Sequence, residues 1–278
     1  MHEPSHLHGQ FHLEGSTILI TGASSGLGAE FAKQLSSFAK EIILVARRGD
    51  HLKALSEEIH KKNPEVIIHE KVIDLSVSDQ REELARWIVE QKIPLNCLIN
   101  NAGCGDFGDF ASASWLRLHE ILLLNIEAFT HLTHLLLPQL RCHAPSAIFN
   151  VGSLLGYFST PHGAVYAASK AFVMNFSEAL RIEEASHGVA VSCLASGQFY
   201  GSSKFQEKAI GSRAKLPWFV YPNESCFVMH EKEVVQAALK CLSHNCSCIT
   251  PKFCVKLSGF LIRMLPSFLL GKILSKKW

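Results

Sequence analysis

The chain has 278 residues, of which 47% are apolar and 19% charged, and its formal net charge is +2 at pH 7. That is enough apolar matter for one sizeable core, and the charge is too evenly balanced for a dedicated nucleic-acid binder, which presents a basic stripe. The 9 cysteines follow an N-terminus, Met-His-Glu-Pro-Ser-His, without the basic start and apolar run of a secretion signal, so free thiols in a reducing cytoplasm are expected.

In chain order, residues 1–15 read as a flexible N-terminal arm, rich in histidine at His2, His6, His8 and His12 and without an apolar run to anchor it. Residues 16–252 alternate short β-rich runs with longer helical patterns. This predicts one α/β domain, a doubly wound Rossmann-type parallel sheet with helices on both faces. The predicted strands are Thr17–Thr21, Glu41–Ala46, Val66–Ile73, Cys97–Asn100, Ala147–Val151 and Val189–Leu194. Their nearly continuous apolar character is that of strands covered on both sides. Helices are predicted near 26–37, 50–62, 78–91, 114–137 and 165–186, and again over 231–242.

The first predicted turn, Thr21-Gly-Ala-Ser-Ser-Gly-Leu-Gly28, joins a strand to a helix. Gly22, Gly26 and Gly28 allow tight turning and close approach of a phosphate, and the helix start offers unpaired N–H groups to a pyrophosphate. Ser24, Ser25 and Leu27 complete this candidate nucleotide loop. Arg47 and Arg48 follow the second strand, where such folds meet the adenosine ribose; an Arg there accommodates a 2′-phosphate and favours NADP(H) over NAD. Asp74 and Leu75, after the third strand, are placed beside the adenine, and Asp74 is equally suited to capping the helix that follows.

Further along, Tyr166-Ala-Ala-Ser-Lys170 puts a phenol and an ammonium on one helix face at i, i+4. An unperturbed Tyr titrates at about 10, and a neighbouring ammonium favours the phenolate and lowers that value. Ser153 closes the fifth strand in Val-Gly-Ser, suited to bonding a substrate oxygen alongside Tyr166.

Thr21–Gly28, Asn100-Asn-Ala-Gly103, Asn125, Ser153 and the Tyr166/Lys170 pair resemble, in order and spacing, the short-chain dehydrogenase/reductase family, over roughly residues 16–200. The resemblance, to NADP-dependent members of bacterial type, implies an oxidoreductase that moves a hydride between a nicotinamide and a carbonyl or alcohol. It implies Tyr166 as general acid/base, Ser153 orienting the substrate oxygen, and Lys170 binding the nicotinamide ribose and lowering the Tyr166 pKa. It further implies Asn125 holding a water through its helix backbone, and Asn101 and Gly103 beside the cofactor. It allows a homo-oligomer, since members of the family are often dimers or tetramers. One departure stands out: where the family has Pro-Gly and then a Thr, this chain has Ser196-Gly197 and, at the Thr position, Gly201.

Residues 197–227, with Phe199, Tyr200, Phe205, Trp218, Phe219 and Tyr221, read as a substrate loop. With Leu154, Leu155, Tyr157 and Phe158 they suit a hydrophobic carbonyl or alcohol. Cys241, Cys246, Cys248 and Cys254 lack a C-x-x-C knuckle and read as small apolar filler rather than a zinc site; no metal is expected. Residues 253–278 form an apolar, basic tail. Phe253, Leu257, Phe260, Leu261, Met264, Leu265 and Phe268 follow helical spacing, but Arg263, Pro266 and Lys272 break the run too often for a membrane span. The tail suits either peripheral contact with a membrane or a cover over the substrate mouth. A rival to the enzymatic reading is a non-catalytic NADP-sensing or membrane-associated scaffold on the same fold.

Overall fold

The computed structural model describes residues 11–200 and 228–252, and beyond them residues 256, 257 and 264. β1 (Thr17–Thr21), β2 (Glu41–Ala46), β3 (Ile67–Val72), β4 (Cys97–Asn100), β5 (Ser146–Val151) and β6 (Val189–Leu194) follow the predicted runs to within a residue at each end. With β9 (Cys248–Ile249) they form a seven-stranded sheet in the order β3-β2-β1-β4-β5-β6-β9, and every neighbouring pair is parallel. β7 (Gln198–Tyr200) and β8 (Val228–His230) pair separately. Between the strands run α1 (Gly26–Leu35), α2 (Gly49–His60), α3 (Ser78–Glu90), α4 (Trp115–Leu122), α5 (Phe129–Cys142) and α6 (Ala164–Glu184), with α7 (Glu231–Ser243) before β9.

Successive strand residues point to opposite faces, and both faces are covered. Ile18, Ile20, Ile42 and Leu44 pack with Phe31 of α1 and Val235 and Leu239 of α7. Leu19, Ile43 and Val45 pack with Leu84 and Ile88 of α3 and Leu132 and Leu136 of α5. Chain order reverses at β1, which has β2 on one side and β4 on the other. In open sheets of this kind, ligands bind outside the carboxyl ends of the strands at that switch point.

Four features differ from the sequence reading. β3 is the sheet edge and is half-exposed along its length, because only β2 flanks it; its Ile-Ile-His-Glu-Lys-Val is not the doubly covered run expected. The helix predicted to stop at 137 continues through Pro138 to Cys142, and a π-turn over Leu123–Ala128 joins α4 to α5. Phe11 is 2% exposed in the core, and the Gly15 amide donates to the Phe38 carbonyl, so the chain is anchored from residue 11 rather than 16. β9 was not foreseen at all. The continuous helix Trp115–Cys142 is long and apolar enough to cross a membrane, but Leu132, Leu136 and Leu140 are buried against the sheet, as in the core helix of a folded domain. Residues 201–227 of the substrate loop expected over 197–227, and nearly all of the tail, lie outside the described residues, as do residues 1–10.

Candidate active site

A cleft of about 340 Å³ opens at the carboxyl ends of the central strands. One wall is the turn after β1. Gly22 has φ +67°, and a Cβ there would meet the Ala102 Cα at 2.9 Å, so the backbone of this turn packs directly on the Asn101–Ala102 turn after β4. A Cβ on Gly28 would lie 2.4 Å from the Gly22 carbonyl oxygen and 2.5 Å from Asn101 Nδ2; only glycine lets α1 begin so close to β1. The Asn101 amide donates to the Thr21 carbonyl at 2.9 Å, fixing the two turns together. Gly22, Ser24, Ser25, Gly26 and Leu27 line the cleft, as do Asn101 and Gly103 across from them. Gly28 sits behind this wall as its spacer. Ser25 caps α1, yet its hydroxyl accepts from Arg48 and not from the helix. The first amides of α1 thus keep their donors for an anion at the mouth of the cleft.

The two arginines after β2 differ in setting. Arg48 Nη2 donates to the hydroxyls of both Ser24 and Ser25 at 2.8 Å, and its Nε donates to Ser24 at 3.2 Å. Arg47 is 54% exposed and leans on Asp74 at 3.8 Å and Glu120 at 3.5 Å. Asp74 accepts from the Ser76 amide and hydroxyl. Burial raises the Asp74 pKa, but the Ser76 hydrogen bonds and the Arg47 charge outweigh it and hold the carboxylate below its usual range. Asp74 lines the cleft and closes the turn ahead of α3 through Ser76, but it does not cap that helix, whose N-cap is Val77 without a side-chain bond. Leu75, also at the cleft, is held from behind by Arg81, 1% exposed. The Arg81 guanidinium donates to the Leu75 carbonyl at 2.7 Å, to Glu127 at 2.7 Å and to His131 Nδ1 at 3.0 Å.

At the far end of the cleft, Tyr166 and Lys170 lie one turn apart on α6 and both are buried. The Ser153 hydroxyl hydrogen-bonds to the Tyr166 oxygen. Asn125, 2% exposed, sits within the π-turn. It accepts from the Cys104 amide at 2.9 Å, and donates to the Cys104 carbonyl at 2.9 Å and the Ser169 hydroxyl at 3.0 Å. Its side chain clamps the turn after β4 to α6. π-turns displace the regular i, i+4 pattern and recur at functional sites. Asn125, Ser153, Tyr166 and Lys170 are thus brought to one end of the cleft, though only Tyr166 and Lys170 line it directly.

The expected lowering of the Tyr166 pKa is not found. Burial pushes it up to about 12, against a smaller opposing effect of the Ser153 hydrogen bond. The Lys170 Nζ donates to the Val151 carbonyl at 2.8 Å and lies 5.9 Å from the centre of the Tyr166 ring. Burial pulls Lys170 itself down to about 8. Desolvation of the charged form is the largest influence on each of the two groups.

Sequence reasoning missed several contributors. Phe107, 6% exposed, tilts against Tyr166 at 5.5 Å between ring centres. Arg117 and Glu120 of α4 form an ion pair on the cleft wall. Cys104 lines the cleft too, its thiol pushed up to about 11 by burial. None belongs to a motif; only folding brings them to the site. Ser196, where the family has Pro, is buried, accepts from the Leu154 amide at 2.8 Å and donates to the Gly152 carbonyl at 3.4 Å, so it ties the end of β6 to the Ser153 turn. Gly201 and Ser202 lie outside the described residues.

The chain matches known proteins along most of its length. It is 31% identical over 189 residues to "Dehydrogenase/reductase SDR family protein 7-like" of Anopheles gambiae, a match covering 67% of this chain and 60% of that protein. It is also 31% identical over 189 residues to the very-long-chain 3-oxoacyl-CoA reductase of Pyrenophora tritici-repentis, covering 67% of this chain and 55% of that protein. The match thus spans little more than half the length of either relative. A short-chain dehydrogenase from Sphingobium yanoikuyae, solved in complex with NADPH, superposes with a TM-score of 0.75 at 24% identity, covering 90% of this chain and 96% of that one. That likeness shows the fold, and the sequence profile described as short chain dehydrogenase matches residues 16–209, well over half the chain. By its fold, its motif set and this match, the chain belongs to the short chain dehydrogenase family.

Proposed function

We propose that the chain is an NADP(H)-dependent reductase or dehydrogenase of a hydrophobic carbonyl or alcohol, with Tyr166 as general acid/base. The observation that carries this reading is the single cleft running from the Arg48–Ser24–Ser25 cluster to Tyr166 and Lys170. Its residues fit the dinucleotide. Gly22 and Gly26 bring bare backbone to the cleft where a pyrophosphate would lie, with Gly28 letting the turn pack behind them; the start of α1 supplies donors, and Arg48 and Arg47 supply positive charge for a 2′-phosphate. NADPH, when bound, supplies the hydride. The protein's part is to hold and move a proton. With a pKa near 12, Tyr166 is protonated at neutral pH, and its hydroxyl donates to the substrate oxygen as that oxygen gains negative charge. Ser153 donates a second hydrogen bond to the same oxygen, and Lys170, one turn along α6 at the same end of the cleft, is placed to hold the nicotinamide ribose. Asn125 keeps this end of the site in register through Cys104 and Ser169.

Phe107 beside Tyr166, and the partly exposed Leu154, Leu155 and Tyr157 after Ser153, support an apolar substrate. The fungal relative is named for reducing a very-long-chain 3-oxoacyl-CoA. Peripheral membrane contact by the tail rests on its apolar spacing and on the exposure of Leu257 and Met264. Self-association rests on the exposure of Phe110, in the turn ahead of α4, and of Trp115 and Leu116 in its first turn. The central test is a panel of ketones and aldehydes followed by NADPH absorbance with purified protein. NADPH binding without turnover on any member of the panel would favour the non-catalytic scaffold instead.

A further inference from the structure

Cys193 and Cys248 occupy paired positions in the register of the neighbouring parallel strands β6 and β9. Neighbouring strands lie about 4.8 Å apart, within the Cα separation of about 4.4–6.8 Å that a disulfide bridges. The two thiols are close enough to influence each other directly. Cys193 is buried and Cys248 exposed, so one thiol meets solutes and the other waits behind it. Tyr157 Oη lies 3.5 Å from Cys248 Sγ. With Cys193 beside it and Tyr157 hydrogen-bonded to it, Cys248 is held below the ordinary thiol range, and Cys193 is held above it. The accessible thiol is therefore the better nucleophile, and the shielded one is placed to resolve what forms on it. The nearby Cys241 thiol is engaged elsewhere, donating to the Cys246 carbonyl at 3.5 Å.

We propose that Cys193 and Cys248 are a redox modification site: a reversible intrachain disulfide formed by hydroperoxides across β6 and β9. The Cys248 thiolate attacks the peroxide; its O–O bond breaks, an S–O bond forms, and an alcohol or water leaves with a proton taken from solvent. The Cys193 sulfur then attacks the Cys248 sulfenic acid; the S–S bond forms, the S–O bond breaks, and water leaves carrying the Cys193 proton. In sum the two thiols lose two electrons and the peroxide gains them, and a dithiol reductant reverses the change. Disulfides in reducing compartments are typically of this transient kind. The bond closes a covalent loop that contains the whole segment 197–227. It also fastens β9 where the Cys193 and Ala195 amides already donate to the Ser247 and Ile249 carbonyls at 2.9 Å. This inference stands apart from the reductase reading and is tested without it.

The purified full chain is treated with hydrogen peroxide, its remaining thiols are blocked with N-ethylmaleimide, and the digest is read by mass spectrometry. The expected result is one linked peptide pair joining Cys193 to Cys248, with two fewer reactive thiols per chain, both restored by dithiothreitol. Cys248→Ser, a change at an exposed position, abolishes the link, while Cys193→Ala leaves Cys248 as a sulfenic acid that dimedone traps. A link from Cys248 to Cys246 or Cys241 instead, or oxidation of the unsubstituted chain that stops at a single thiol, overturns the proposal.

Discussion

Arg48→Ala is the substitution that most directly tests how the cleft selects its nucleotide. Arg48 is partly buried and already fixed by Ser24 and Ser25, with three donor contacts of 2.8–3.2 Å. A 2′-phosphate arriving there meets a guanidinium that needs little reorganisation. Hydrogen bonds to charged groups contribute about 1.5–3 kcal/mol, and about 1.4 kcal/mol corresponds to a factor of ten in affinity. Arg48→Ala should therefore weaken NADPH by about ten- to a hundredfold and leave NADH nearly unchanged. Arg47 is 54% exposed and already shared between Asp74 and Glu120, and exposed charge pairs contribute about 0–1 kcal/mol. Arg47→Ala should cost under about fivefold. The assay is the ratio of kcat/KM for NADPH and NADH in the native chain, both single variants and the double variant. A native chain that prefers NADH, or a double variant with an unchanged ratio, refutes the NADP assignment. A larger loss from Arg47→Ala than from Arg48→Ala refutes the division of roles between them.

Three further outcomes are expected. Tyr166→Phe removes only the transferable proton, so turnover should fall by about 10²–10⁴-fold while NADPH still quenches protein fluorescence; near-native turnover would end the acid/base assignment. Lys170 titrates near 8 because burial disfavours its charge, so carbonyl reduction that needs the ammonium should decline as pH rises through about that value, with Tyr166 still protonated. Lys170→Arg, which stays charged, should lose that falling limb; its persistence would point to another group. Gly28→Ala puts a Cβ 2.4 Å from the Gly22 carbonyl, and it should weaken NADPH binding more than it lowers the melting temperature, since the turn can yield only by opening the cleft wall. A binding isotherm matching the native one would show that the turn is softer than this.

The sheet was readable because β1, β2, β4, β5 and β6 are covered on both faces, so their sequences are short, nearly continuous apolar runs of the kind a buried parallel strand needs. β3 was mistaken in character though not in place, since an edge position is a fact of topology. β9 spans only Cys248–Ile249, too short to carry a period, and it exists because β6 offers it an edge. The glycine turn after β1 and the placing of Tyr166 and Lys170 one helical turn apart were legible because their spacing is local. The π-turn around Asn125 was not, as Leu-Leu-Asn-Ile-Glu-Ala carries no mark of an extra residue in the turn. The Tyr166 pKa was misjudged in direction because spacing reports how near Lys170 is along the helix, but not how much water is removed from both. Phe107, Arg81 and the ranking of Arg48 over Arg47 depend on which side chains meet across the fold.

Arg81 joins what the chain keeps far apart. Through Leu75 it holds the wall that the dinucleotide's adenine half would rest against, and through Glu127 and His131 it holds the turn and helix around Asn125. The two halves of the cleft therefore share one brace, so the wall at Leu75 and the turn around Asn125 are not independent parts: a change that loosened Arg81 would reach both ends of the cleft at once.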